Sequence, residues 1–362
     1  MKKNFAFHSL IVSTILFSLL SCKKEESPNP EPVNPTQPNN AIYVINEGSF
    51  GSQSGTISLI DRSTGKITSD IFGQVNQRPL GDVVQSMHIY GDKGYVVVNN
   101  SNKIEVVNLS DFKSVATITG LQSPRYMVVI NDTLAMATQW SFPGSVAVIS
   151  LKSYQVIKNI QTGEGPEQII KSGNRIFVCN SGGFGGDNKI TVLDFNGNIL
   201  SQLNTGDSPA SMAVDSNNKL WVLCAGKKTY SSQPPYNLDT ANCTPGKLQS
   251  FVLNNLQKES DFTFDDKTQI PSSLTINKSG NTLFYIYKNG VHPMATGSQS
   301  LPSIPLIGKA FYGINIDPVN DDIWCADPGN FQSAGNAYRY DNTGKLTGTF
   351  KTGIGTARFT FN

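Results

Sequence analysis

The chain has 362 residues and a net charge of +2 from 29 basic and 27 acidic side chains, with only 15% of residues charged. That balance excludes the basic face of a nucleic-acid binder and a long acidic tail, and the length suits two ordinary domains or one repeat architecture. Three histidines in the whole chain argue against a His-based metal centre and against a general-base histidine.

Residues 1–21 read as a secretory signal: Lys2 and Lys3, then a mostly apolar run from Phe5 to Leu20, too short and interrupted for a membrane span. Its end, Leu19-Leu20-Ser21-Cys22, resembles a lipobox, which makes Cys22 the expected lipidated N-terminus. The following Lys23-Lys24-Glu25-Glu26 resembles the surface-export signal of some Gram-negative lipoproteins. A lipid anchor in the outer membrane, facing the exterior, is therefore expected. Residues 22–40 form the tether. Its Pro-rich stretch 27–40 forbids helix and central strand, and as an extended spacer it would reach roughly 40 Å.

From residue 41 to 362 apolar residues alternate at period two between frequent turn signals, with no convincing helical period. One unit recurs. It opens with a short strand, as in PRYMVVI from Pro124, PEQIIKS from Pro166, PASMAVD from Pro209 and PSSLTIN from Pro271. A second strand follows, then a Gly-rich or polar loop, a third strand, and a fourth ending near Thr-Gly. Openings at Val84, Pro124, Pro166, Pro209, Pro271 and Phe311 are spaced 40, 42, 43, 62 and 40 residues apart. That is the period of four-stranded propeller blades. The first folded segment, from Ile42, matches a second strand, and the last, Thr356 to Asn362, matches an opening strand with nothing after it. The expected fold is thus all-β: a seven-bladed β-propeller of four-stranded blades, closed by the C-terminal strand pairing into the first blade.

In such blades the loops between second and third strands share a face with the loops between blades. Here they carry Glu47, Phe50, Trp140, Phe142, Phe184, Asn330 and Phe331, joined by Arg78, Arg125, Tyr126, Glu167, Gln168, Tyr312 and Arg358. Aromatics mixed with amides and arginines can stack on a ring system and fix its polar edges. The 62-residue unit carries an insertion, Ala225 to Gly246, in the fifth blade, which places Tyr236 above this face. Cys224 and Cys243 bracket most of it. In an exported protein a disulfide between them is expected, with two buried free thiols as the rival. Cys179 and Cys325 are expected to be free and buried.

No nucleophile elbow or phosphate-binding loop occurs in the sequence, so no catalytic residue, metal or cofactor is expected. Carboxylates such as Glu47, Glu164, Glu167 and Asp327 still leave a propeller hydrolase or lyase open.

The blade pattern, as in SPASMAVDSNNKLWVL and GTISLIDRSTGK, resembles the YncE-like seven-bladed propellers over nearly all of residues 41–362. The opening YVINEGSFG on a Cys-anchored chain is similar to surface lipoproteins of the BtuG type. That resemblance implies capture of a corrinoid such as cobalamin and its transfer to a TonB-dependent outer-membrane transporter, with membrane contact through the lipid only. Read from the residues, Trp140, Phe142, Phe184 and Tyr236 would pack on the ligand, and Arg125, Arg358 and Gln168 would address its amides or phosphate. A glycan- or protein-binding scaffold is the rival.

Overall fold

The computed structural model describes residues 40–183 and 186–362. The expected signal peptide, lipidated Cys22, the tether up to residue 39 and the candidate ligand contact Phe184 lie outside the described residues. No helix among those described is long and apolar enough to cross a membrane.

Seven antiparallel sheets form the blades of a β-propeller. Their innermost strands are Thr356–Phe361, Val84–Tyr90, Pro124–Asn131, Pro166–Ser172, Pro209–Val214, Ser272–Ile276 and Gly313–Ile316, and each packs beside the next around the ring. The first blade is completed by both ends of the chain. Thr356–Phe361 pairs with Ala41–Asn46, aligning Ile42 with Phe361 and Val44 with Phe359.

Burial follows from position in the blade. Second strands are packed on both faces, so Ala41–Asn46 is buried throughout. Fourth strands lie at the rim, where Gln155–Gln161 is mostly exposed. Apolar side chains of adjacent blades interlock between the sheets. Ile42, Val44 and Ile60 of the first blade pack with Trp324, Ala326 and Ala337 of the seventh, which seals the ring with hydrophobic contact as well as backbone bonds.

Two details depart from a uniform four-stranded pattern. The sixth blade has three regular strands, and the segment outside them joins only through a single bridge from Val291 to Ile307. Pro302 and Pro305 lie in that segment and have no N–H to donate to a ladder. The second is a short helix, Ile71–Asn76, between the first and second blades, capped by Asp70, which accepts from the Gly73 amide. It buries Ile71 and Phe72 against Tyr43 and Phe112.

Candidate functional site

The innermost strands begin on the loop face, and their first residues are irregular. Strand register shifts near the start in six blades, between Thr356 and Arg358, Val84 and Ser86, Pro124 and Met127, Pro166 and Ile169, Pro209 and Ser211, and Ser272 and Thr275. A bulge of this kind twists the strand and re-aims side chains. Lined up on the apolar residue that follows, Gln85, Arg125, Glu167, Ala210, Ser272, Tyr312 and Ala357 occupy one position of the repeat. Ser86, Tyr126, Gln168, Ser211, Ser273, Gly313 and Arg358 occupy the next.

The first of these positions supplies most of a polar cluster at one end of the central channel. Arg125 forks onto Glu167, with Nη2 donating to Oε1 at 2.8 Å and Nε to Oε2 at 3.0 Å. Its Nη1 donates to Gln85 Oε1 at 2.7 Å. The guanidinium also lies over the Trp140 ring, 4.4 Å from the centroid. Arg358 donates through Nη1 to Glu47 Oε1 at 2.8 Å and to the Gln85 carbonyl at 3.1 Å. Tyr312 donates to the other Glu47 oxygen at 3.2 Å, and its ring meets Phe331 edge-on at 5.4 Å. Arg358 also faces Tyr126, 5.8 Å from the ring centroid.

Glu47 is held in place by its backbone. Its N–H bonds the Gly355 carbonyl at 2.8 Å, and the Gly48 N–H bonds that of Ile354 at 2.9 Å. Gly48 has φ +83, and a Cβ there would meet the Gly55 nitrogen at 2.5 Å, so only glycine fits. The motif read from the sequence thus clamps the first blade's loop to the returning C-terminal strand.

Electrostatics tie the cluster together. Burial disfavours the charge on Arg358, but Tyr126, Glu47 and Tyr312 outweigh it and its pKa is raised. Arg125 behaves alike: burial opposes its charge, Glu167 more than offsets this, and Arg358 partly counters the gain. Burial first, then the Glu47 charge, pushes the Tyr312 phenol up to about 12. Two arginines face two glutamates, so the mouth is rigid, polar and nearly neutral.

The structure brings Arg125, Tyr126, Trp140, Glu167, Tyr312, Phe331 and Arg358 to one end of the channel, as expected, together with Glu47. Gln168 does something else: its Oε1 accepts from the Met212 backbone N–H in the next blade. Ser86 and Ser211, at the same repeat position, bond the Arg125 carbonyl and the Leu274 N–H in their own neighbouring blades. Gln168 is therefore a strut between blades. Phe142 and Tyr236 lie on loops of this face, 93% and 58% exposed, without a hydrogen bond, ion pair or ring contact to the cluster among the described residues. Gln85 was missed in the sequence although it stands at the Arg125 position of the repeat. It is 1% exposed, and with its oxygen committed to Arg125, its Nε2 has no partner among the described residues.

The expected disulfide is not formed: Cys224 and Cys243 are free, buried thiols, as are Cys179 and Cys325. Cys224 ends the second strand of the fifth blade and packs with Phe177 and Cys179 between blades. Burial pushes its thiol pKa up to about 12. Cys243 turns into the insertion instead, accepting from the Thr229 N–H at 3.4 Å and donating to the Asp239 carbonyl at 3.2 Å. The insertion folds back on itself through a bridge from Tyr230 to Leu238, and the Cys243 thiol is buried within it.

Beside the cluster, Trp140, Phe142 and Glu164 with the Gly144, Gly165 and Gly182 backbone line a pocket of about 360 Å³. An adjoining hollow of about 470 Å³ is lined by Lys227, Lys228 and Tyr230 of the insertion, with Ser208 and Ser181.

Among solved structures the chain is similar to a quinonprotein alcohol dehydrogenase-like protein from Bacteroides thetaiotaomicron, at 11% identity and TM-score 0.64, covering 90% of this chain and 78% of that one. It is also similar to hydrazine synthase of Kuenenia stuttgartiensis, at 15% identity and TM-score 0.55, covering 69% and 74%. A third similar structure is the computationally designed Ika8 protein, at 12% identity and TM-score 0.57, covering 88% and 95%. At such identities the likeness is one of fold. No curated protein matches the chain. The family model described as a domain of unknown function, DUF5074, matches residues 40–347, and the chain belongs to that family.

Proposed function

We propose that this chain is a non-enzymatic, surface-anchored capture protein. Its loop face binds a ligand with a broad apolar face and hydrogen-bonding edges, a corrinoid of the cobalamin type being the first candidate. Transfer to a TonB-dependent outer-membrane transporter through the same face is part of the proposal. The observation that carries the reading is the pre-paired mouth of Arg125, Glu167, Gln85, Arg358, Glu47 and Tyr312, beside exposed aromatics at Phe142 and Tyr236. Groups already fixed by one another lose little freedom on binding. The unpartnered Gln85 amide offers a donor to a ligand carbonyl or amide oxygen.

Hydrolysis by channel carboxylates has less support. Both oxygens of Glu47 and of Glu167 are already engaged by guanidinium or phenol groups, which leaves neither carboxylate free to act on a substrate. A glycan- or protein-binding scaffold is the second reading. Phe50, Phe142 and, on the insertion, Tyr230 and Tyr236 stand exposed on three loops, an arrangement that also suits a larger surface.

Calorimetric titration of the purified chain with cyanocobalamin tests the proposal. Tight one-to-one binding is expected, weakened at least about tenfold by combined Arg125→Ala and Arg358→Ala substitution. No heat at tens of micromolar would reject the corrinoid and direct screening to glycans and protein partners.

A further inference from the structure

The pocket beside the channel mouth has a chemistry of its own. Trp140 and Phe142 supply aromatic surface and Glu164 a carboxylate, around a volume of about 360 Å³. The glycines in its wall answer to packing: a Cβ on Gly144 would strike the Gly163 carbonyl at 2.2 Å, and one on Gly165 the Gly183 nitrogen at 2.1 Å. The backbone therefore comes close and leaves a shallow floor, and the side chains carry the recognition.

Glu164 is exposed, and no lysine, arginine or histidine lies within ion-pair distance of it among the described residues. Its backbone N–H donates to Asp187 Oδ2 at 2.9 Å, which sets a second carboxylate nearby. The contrast with the channel mouth is clear. There Glu47 and Glu167 are each matched by an arginine. Arg125 does lie on the Trp140 ring, but Glu167 balances its charge. The nearby lysines of the insertion, Lys227 and Lys228, line the adjoining hollow and not this pocket. Aromatic faces with an unmatched carboxylate attract a cation, and most strongly one that is poorly hydrated, because little solvation is lost on entering.

We infer that the pocket of Trp140, Phe142 and Glu164 is a binding subsite for an organic cation of the quaternary-ammonium class. The cation seats its methyl groups on the indole and phenyl surfaces, and Glu164 supplies the counter-charge. This goes beyond the capture reading and does not require a corrinoid.

Three tryptophans occur in the chain, and Trp221 and Trp324 are each 1% exposed in the core. Trp140 is the partly exposed one, so intrinsic fluorescence reports on this pocket. The experiment titrates the full-length chain with choline chloride at ionic strength held constant with sodium chloride, and in parallel with 3,3-dimethyl-1-butanol, the uncharged isostere. A saturable emission change with choline is expected, at least about tenfold weaker with the isostere and in Glu164→Gln. Phe142→Ala should weaken it as well. Both substituted side chains lie at the surface without a side-chain hydrogen bond, and an unchanged circular dichroism spectrum verifies folding. No saturable change, or equal responses to choline and the isostere, would overturn the inference. A choline response without cyanocobalamin binding supports this subsite and rejects the corrinoid alone. Cyanocobalamin binding without a choline response does the reverse.

Discussion

His88 sits on the innermost strand of the second blade, half-buried, and its Nε2 accepts the Val129 N–H of the third blade at 3.4 Å. That bond needs the neutral ring. Burial lowers its pKa from 6.5 to about 4. The unfolded chain takes up a proton below pH 6.5, and the folded chain does so only near pH 4, so stability is complete above 6.5 and falls between the two values. Between pH 7 and pH 5 this one group should cost about 2 kcal/mol. His292 is lowered in the same direction, chiefly by burial, and adds to the slope. Denaturant unfolding at the two pH values should show a markedly smaller loss for His88→Gln than for the native chain. Equal losses would show that His88 is not the sensor. Single residues were also where the sequence was hardest to interpret. The repeat exposes which positions recur, but not whether a side chain turns into the channel or across to the next blade. Gln85 and Gln168 stand at adjacent repeat positions, and only the bulge at the strand start separates the channel amide from the strut. Cys243 was misjudged for a related reason: polar neighbours do not reveal that the sulfur is buried within the loop.

At the scale of elements, the opening strands and their spacing were legible because the period-two pattern and the preceding turns repeat. The helix Ile71–Asn76 was not. Six residues are too few to establish a 3.6-residue period, and its helical state depends on tertiary burial and on the Asp70 cap. The missing fourth strand of the sixth blade was signalled by Pro302 and Pro305 but masked by the regular spacing around it. The helix nevertheless has a structural task. Phe72 is fully buried between the first two blades, and the Arg78 guanidinium lies 4.8 Å from its ring while pairing with buried Glu105 at 2.6 Å. Phe72→Ala should therefore destabilise the chain by about 3–5 kcal/mol, measured by denaturant unfolding. A loss below about 1 kcal/mol would mean that the helix can detach without disturbing the blades.

For the whole molecule, closure of the ring joins fold to site. The returning strand that completes the first blade also delivers Arg358 to Glu47, 311 positions away in sequence. On the opposite end of the blades a second latch holds the same junction. Arg62 donates to Asp317 through Nε at 2.8 Å and Nη2 at 3.3 Å, and through Nη1 to the Asn362 carbonyl at 3.1 Å. It thereby ties the first blade, the seventh blade and the last residue together. The Asp317 side chain is wholly buried, so removing its cation leaves a charge that water cannot reach. Arg62→Met should cost about 3–5 kcal/mol. Adding Asp317→Asn removes the stranded charge while keeping an oxygen for the Val319 N–H, which Asp317 now accepts at 3.0 Å. The double variant should recover most of the loss, because a buried pair contributes less than the penalty of breaking it. If the double variant is as unstable as Arg62→Met alone, the latch acts through the Arg62 bond to the C-terminal carbonyl and not through the ion pair. Ligand affinity in the double variant then separates stability from site assembly: recovered stability with lost binding would mean that closure must be exact at the C-terminal strand for Arg358 to reach the channel mouth.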